Sequence, residues 1–374
     1  MTKKRILFLL SDTGGGHRSA AKAITEGLHH INPKQYHVFI EDVWQIHTPY
    51  PFNQIPKLYP WFISSGLPLW QLMWWLSTQT QAHLLLFKCV LPIVRNRLIA
   101  FLRMTRPDII VSVHPFMNHV IMQLVSEIGL TIPFLTVVTD LVNVHPAWIC
   151  PDVSYCLVPT EPARQHAIRF GMDSNKVTVA GQPISLKFGQ KKHDKETLRK
   201  KLTLSPNRKT VLIMGGGEGF GNIFEIARHI AQRLSHVQMI VVTGRNHALW
   251  QKLKKVHWEI PTKIYSFVNN IPDLMWSADV LISKAGPNTI SEALVANLPM
   301  IISGYIPGQE TGNIAYIQHH QAGVFASNPV QIAMLVLRWF EDGQPFLQRM
   351  ATNAAAIAKP RAALIIAKHV ANLI

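Results

Sequence analysis

Residues 6–10 are five consecutive apolar side chains, bounded by Arg5 and Ser11. Further strands are expected at Tyr36–Glu41, Asp108–Val113, Pro133–Thr139, Val153–Val158 and Val177–Ala180, and those at Asp108–Val113 and Pro133–Thr139 again lack alternation. A strand with one wet face alternates. Runs like these are expected where helices cover both faces of a parallel sheet. After the first run, Arg18–Ile31 sets Ala20, Ala23, Ile24 and Leu28 on one side of a predicted helix. The pattern is α/β, with parallel strands joined by crossover helices.

Lys187–Lys201 interrupts it with Lys187, Lys191, Lys192, Lys195, Arg199, Lys200 and Lys201 and few apolar residues. It reads as a linker, 187–205, carrying an exposed helix. Alternation then restarts, with strands expected at Thr210–Met214, Gln238–Val242, Lys263–Ser266, Val280–Ser283 and Met300–Ser303. Helices are expected at Ile223–Leu234, Leu249–Lys255, Ile271–Ser277, Thr289–Ala296, Gln331–Phe340 and Ala363–Leu373. The prediction is two doubly wound Rossmann-like domains facing a cleft, 1–186 and 206–355, with 356–374 as a terminal helix. At 374 residues the chain is long enough for both.

The glycines fall where this pattern places strand-to-helix turns. Ser283-Lys284-Ala285-Gly286-Pro287-Asn288-Thr289 ends a strand and opens a helix. A helix start of this kind offers unpaired N–H groups and partial positive charge, which suits a diphosphate. One turn on, Glu292 is placed to accept both hydroxyls of a ribose, and Gln309 and Glu310 offer an amide and a carboxylate to a sugar. The loop Gly215-Gly216-Gly217-Glu218-Gly219 opens the second half in an equivalent place. It lacks the G-x-G-x-x-G register, so a loop for phosphate is the better reading than a dinucleotide fingerprint. Phe267-Val268 ends a strand, where the backbone suits a nucleobase edge or is an ordinary strand end.

In the first half, Asp12-Thr13-Gly14-Gly15-Gly16-His17 follows the first strand. His17 then sits in a first helical turn, where the helix terminus favours the neutral imidazole that a general base needs. Asp140, at the end of another strand, either orients His17, acts as the base itself or merely caps a turn. His114 is a further candidate at a strand end, and His145 and Trp148 lie in the following His-Pro-Ala-Trp segment.

The stretch Pro51–Leu76 carries Tyr59, Trp61, Trp70, Trp74 and Trp75. Tyrosine and tryptophan favour a bilayer interface, and Lys57, Lys88, Arg95, Arg97 and Arg103 nearby suit anionic lipid. An aromatic core element or a dimer contact is the plainer alternative. Lys plus Arg number 37 against 21 Asp plus Glu, net +16. That charge favours an anionic surface, whether lipid, nucleic acid or phosphorylated substrate. No nucleic-acid motif accompanies it, and no nucleic-acid partner is expected. No run reaches the roughly 18 apolar residues of a membrane span. The three cysteines, Cys89, Cys150 and Cys156, lack metal or redox spacing and read as reduced and buried, hence a cytosolic chain. No Asp-x-Asp pair is present to hold a cation beside a nucleotide sugar, so no metal and no cofactor are expected.

Asp12 through His17, the Tyr59-Pro60-Trp61 region, Thr139-Asp140-Leu141 with His145-Pro146-Ala147-Trp148, and Ala285-Gly286-Pro287 through Glu292 to Pro307-Gly308-Gln309-Glu310 resemble the monogalactosyldiacylglycerol synthases, in the same order along the chain. These sit beside the processive diacylglycerol glucosyltransferases and, more distantly, the lipid-linked N-acetylglucosaminyl transferase of peptidoglycan synthesis. The resemblance implies a GT-B glycosyltransferase fold. The first domain would take diacylglycerol and the second UDP-galactose or UDP-glucose, with the last helix crossing back to the first. It implies His17 as the base and Glu292 as the ribose ligand. Gly215, Gly216, Gly217, Gly219, Phe267, Val268, Lys284, Gly286, Asn288, Thr289, Gln309 and Glu310 would then serve the donor. Gly15, Gly16, Tyr59, Trp61, Trp70, Trp74, Trp75, His145 and Trp148 would serve the acceptor and the membrane, with the protein peripheral on the cytoplasmic side. A polyprenyl-linked acceptor and a UDP-sugar epimerase on the same scaffold are the rival functions.

Overall fold

A computed structural model describes residues 3–13, 15–63, 66–79, 82–191 and 193–374. Gly14 of the first glycine loop, Ser64 and Ser65 of the aromatic stretch and Lys192 of the basic run lie outside the described residues. The chain forms two compact units. One runs to Leu186 and adds Pro307–Gln309 and Arg361–Ile374; the other comprises Lys187–Ile306 and Glu310–Pro360.

The first unit holds strands β1 (Lys4–Leu10), β2 (Tyr36–Asp42), β3 (Ile109–Ser112), β4 (Phe134–Val137), β5 (Tyr155–Val158) and β6 (Val177–Val179). They form one parallel sheet in the order β2-β1-β3-β4-β5-β6. The unalternating composition of β1 has the expected cause. Leu7 and Leu9 pack on one side with Leu98 and Leu102 of helix Ala82–Thr105 and with Ile121 of helix Asn118–Glu127. Ile6, Phe8 and Leu10 pack on the other with Ile24 and Leu28 of helix Gly16–Ile31 and Ile366 and Val370 of helix Ala362–Asn372. The last two helices approach so closely at Gly27 that an added Cβ would lie 2.8 Å from the Ala363 carbonyl oxygen.

The second unit holds β7 (Lys209–Met214), β8 (Val237–Val242), β9 (Thr262–Tyr265), β10 (Val280–Lys284), β11 (Met300–Gly304) and β12 (Gly323–Phe325), all parallel in the order β12-β11-β10-β7-β8-β9. Each sheet reverses direction of strand order next to its first strand, between β1 and β3 and between β7 and β10. The carboxyl ends of strands at such a reversal are where open α/β sheets bind ligands.

Two expectations change. The basic segment is no free linker. Its helix, Lys195–Lys201, buries Leu198 and Arg199. Lys195 and Arg199 both reach Asp279, at 2.9 and 2.5 Å, while Asp279 also accepts from the Thr210 backbone N–H. A carboxylate at the foot of the sheet thus gathers cations that composition alone assigns to solvent. Cys89 is exposed, while Cys150 and Cys156 are buried; all three are free thiols. The aromatic stretch is helical, at Ile55–Phe62 and Leu67–Gln79. Among the described residues no helix is long and apolar enough to cross a membrane.

Candidate active site

Thr13, Gly15–His17, Val113, His114, Thr139 and Asp140 gather at the carboxyl ends of β1, β3 and β4, which are neighbours in the first sheet. Gly15 caps the first helix with φ 78°, a conformation that costs glycine nothing. This places His17 in the first turn. Its Nδ1 lies 2.8 Å from the Val113 carbonyl and 3.0 Å from Thr139 Oγ1. A carbonyl only accepts, so Nδ1 carries the hydrogen and Nε2 keeps its lone pair. Burial drives the His17 pKa down to about 4; the bond to Val113 and the charge of Asp12 offset part of this. Burial is the largest cause that keeps the ring neutral. The result is an oriented imidazole with a free basic nitrogen.

Asp140 is buried and its carboxylate is engaged elsewhere. One oxygen accepts from Trp148 Nε1 at 2.7 Å and the other from Gln309 Nε2 at 3.2 Å. The groups holding His17 Nδ1 are a backbone carbonyl and a threonine. A carbonyl leaves no side-chain signature, so nothing in the sequence marks Val113. Thr139 stood inside a recognised segment, hidden by its acidic neighbour.

The residues expected at a lipid surface divide. Trp148 is fully buried and His145 nearly so, which removes both from any membrane contact. His145 accepts the Ala147 N–H at Nδ1, leaving Nε2–H for Ser77 Oγ at 2.9 Å. Trp61 and Trp75 face outward, 51% and 57% exposed, among exposed Leu58, Leu72 and Met73. Tyr59, Trp70 and Trp74 turn inward onto Pro307–Gln309. Tyr59 donates to Gln309 Oε1 at 3.2 Å and Trp70 Nε1 to the Pro307 carbonyl at 3.2 Å. Gly308, at φ 83°, lies so close to Trp74 that an added Cβ would be 2.4 Å from the ring. The Gln309 amide is thereby committed at both ends, to Tyr59 and Asp140.

In the second unit, the Gly215–Asn222 loop after β7 and the turn Ala285-Gly286 after β10 meet on Lys284. The Lys284 side chain lies 3.5 Å from a Cβ built on Gly216 and 3.1 Å, through Nζ, from one built on Gly286. A cation therefore sits beside a helix start, since Pro287–Val295 begins there with Pro287 at its first position. Asn288 and Thr289 lie in that first turn, and Asn313 Nδ2 pins the turn by donating to the Ala285 carbonyl at 2.8 Å. Gly215 and Gly219 are required by crowding. An added Cβ would come 2.4 Å from the Phe220 carbonyl oxygen and 2.1 Å from that of Thr243 respectively. The Gly217 carbonyl accepts from Arg245 N at 2.8 Å.

Glu310 is not an open sugar ligand. It is 2% exposed, pairs with Lys284 and accepts the Ile306 N–H at 2.8 Å. It holds the lysine in place. Glu292 differs: no hydrogen bond or ion pair of its carboxyl is formed among the described residues, and burial pushes its pKa up to about 8. Phe267 is 55% exposed with the Arg245 guanidinium 5.1 Å from its ring centroid, beside half-buried Val268. Among the described residues no three His, Cys, Asp or Glu side chains come together as a cation site.

Residues 17–184 match the family described as monogalactosyldiacylglycerol (MGDG) synthase, and residues 210–327 match the glycosyltransferase family 28 C-terminal domain. The chain is 36% identical over 380 residues to a probable chloroplastic monogalactosyldiacylglycerol synthase of Glycine max, an alignment covering 99% of this chain and 72% of that one. It is also 36% identical to monogalactosyldiacylglycerol synthase 1, chloroplastic, of Arabidopsis thaliana, covering 99% and 71%. Among solved structures, MurG of Acinetobacter baumannii superimposes with TM-score 0.62 at 14% identity, covering 99% of each chain. S. aureus MnaA, solved with UDP, gives 0.64 at 14% identity, covering 99% of this chain and 98% of that one. At such identities these structures speak for the fold, which is GT-B.

Proposed function

The chain belongs to the monogalactosyldiacylglycerol synthase family, and on that premise we propose that it transfers a galactosyl group from UDP-galactose to diacylglycerol, with inversion at the anomeric carbon. The first unit supplies the acceptor chemistry. His17 Nε2 takes the proton of the glycerol hydroxyl; the oxygen forms the bond to the anomeric carbon as the bond to the diphosphate breaks; UDP carries off the electron pair. General-base assistance of this kind is worth roughly 10²–10⁴ in rate. The second unit supplies the donor chemistry. Lys284 and the start of helix Pro287–Val295 answer the negative charge that builds on the diphosphate. Glu292 accepts the ribose hydroxyls, and the exposed Phe267 ring and the backbone at Val268 lie against the base. Asp140 acts through the Trp148 and Gln309 contacts that shape the acceptor side.

The exposed Trp61 and Trp75 and the basic charge support peripheral docking on an anionic lipid surface, which the proposal sets on the cytoplasmic side. The observation that carries the reading is the placement of His17 in the first helical turn with its Nδ1 held by the Val113 carbonyl, which leaves Nε2 to serve as the proposed base. The test offers UDP-galactose and UDP-glucose separately with diacylglycerol in mixed micelles and identifies the lipid product. Monogalactosyldiacylglycerol from the first donor is expected. A glucolipid as main product corrects the donor, and transfer only to a polyprenyl-linked acceptor overturns the reading. His17→Ala with undiminished turnover removes His17 from the mechanism.

A further inference from the structure

Thr13, half-buried in the loop that follows β1, has its hydroxyl oxygen 3.2 Å from His114 Nε2. The tautomer of His114 is settled from its other side. The Phe116 backbone N–H donates to His114 Nδ1 at 3.3 Å, so that nitrogen bears the lone pair and the ring hydrogen sits on Nε2. His114 therefore donates and Thr13 accepts. A hydroxyl whose oxygen already receives a hydrogen bond has its own hydrogen to give. The Thr13 side chain makes no other hydrogen bond among the described residues. The His114 ring stands edge-on to His17, centroids 4.5 Å apart. It is 5% exposed, and burial followed by the nearby His17 holds its pKa well below the ordinary range, so the donor hydrogen on Nε2 is not shared with a charged form.

We propose that Thr13 is a further catalytic residue, donating its hydroxyl hydrogen to the glycerol oxygen of the acceptor, and that His114 is the positioning residue that fixes the direction of that donation. This rests on the reading of His17 as the base. The acceptor oxygen receives the Thr13 hydrogen bond while giving its own proton to His17 Nε2. Thr13 keeps its hydrogen throughout. Its bond strengthens as negative charge grows on the oxygen, so the effect falls on turnover more than on binding.

The experiment compares Thr13→Val, Thr13→Ser, His114→Phe and the double variant T13V/H114F, with His17→Ala as reference. It measures kcat, the KM of each substrate and UDP affinity. Thr13→Val is expected to lower kcat roughly 10–100-fold, at or below the loss for a dedicated oxyanion donor, with donor KM and UDP affinity unchanged. Thr13→Ser retains kcat within about threefold because the hydroxyl remains. His114→Phe loses less than Thr13→Val, and the double variant is no slower than Thr13→Val alone, since both changes remove one interaction. If His17→Ala is inactive while Thr13→Val keeps full kcat, the inference fails and the base survives. If His17→Ala stays active, the base reading fails first. Losses that multiply in the double variant overturn the role of His114. Should His114→Phe melt early, the valine and serine pair at Thr13 decides alone.

Discussion

His17 stays neutral because the protein packed around it disfavours the charged ring and offers only neutral oxygens to Nδ1. With its pKa lowered from 6.5 to about 4, it remains a base as the pH falls through 6.5. The sign for stability follows. A buried histidine that resists protonation binds fewer protons when folded, so stability declines as the pH falls from 6.5 toward 4. The expected kcat/KM profile shows no acid limb from His17 between about pH 5 and 8. A limb centred at 6.5 in a pH–rate study contradicts this environment. Glu292 runs the other way. Its pKa, raised from 4.5 to about 8, keeps it protonated at neutral pH, and its contribution to stability weakens as the pH rises across that interval. In the proposed complex, ribose hydroxyls donating to it would favour the carboxylate. UDP binding at neutral pH should therefore release a proton. Calorimetry in buffers of different ionisation enthalpy should give different apparent enthalpies, and Glu292→Gln should remove the difference while weakening UDP roughly tenfold or more. Equal enthalpies for the unaltered protein would contradict it.

At the scale of elements, the strands were legible because burial on two faces leaves a plain record, as in β1, β7 and β8. What escaped lacked such a record. β12 is three residues long. Helix Ala82–Thr105 is apolar on many sides and carries Pro92, so no single stripe announces it. The division of the aromatic residues between an outward pair and three that clasp Pro307–Gln309 depends on contacts 237 and 250 residues apart in sequence. The two glycine loops of the second unit were each readable, but their meeting on Lys284 follows from the pairing of β7 with β10, which no local pattern states. Helix against helix, Gly27 is the tight point. Gly27→Leu should lower stability by roughly 1–3 kcal/mol through overpacking, read as a drop in denaturation midpoint. An unchanged midpoint would mean that the two helices separate freely there.

For the whole molecule, the proposed docking sets a net charge of +16 and the exposed Trp61 and Trp75 against a lipid surface. Co-sedimentation with anionic vesicles should fall steeply as salt is raised from low to physiological levels, where screening shortens to about 8 Å. Replacing Trp61 and Trp75 with Ser should weaken it further at every salt concentration while UDP affinity holds. Salt-independent pelleting, or no effect of the double replacement, would remove this role from the helices.

Ile366 and Val370 pack beside Ile24 and Leu28, from which most of the sequence separates them. During synthesis the sheet around β1 emerges early but keeps one greasy flank bare until the segment carrying Ile366 and Val370 has also been made. Its final locking waits on that distant helix, so removing the helix should harm the sheet around β1 first.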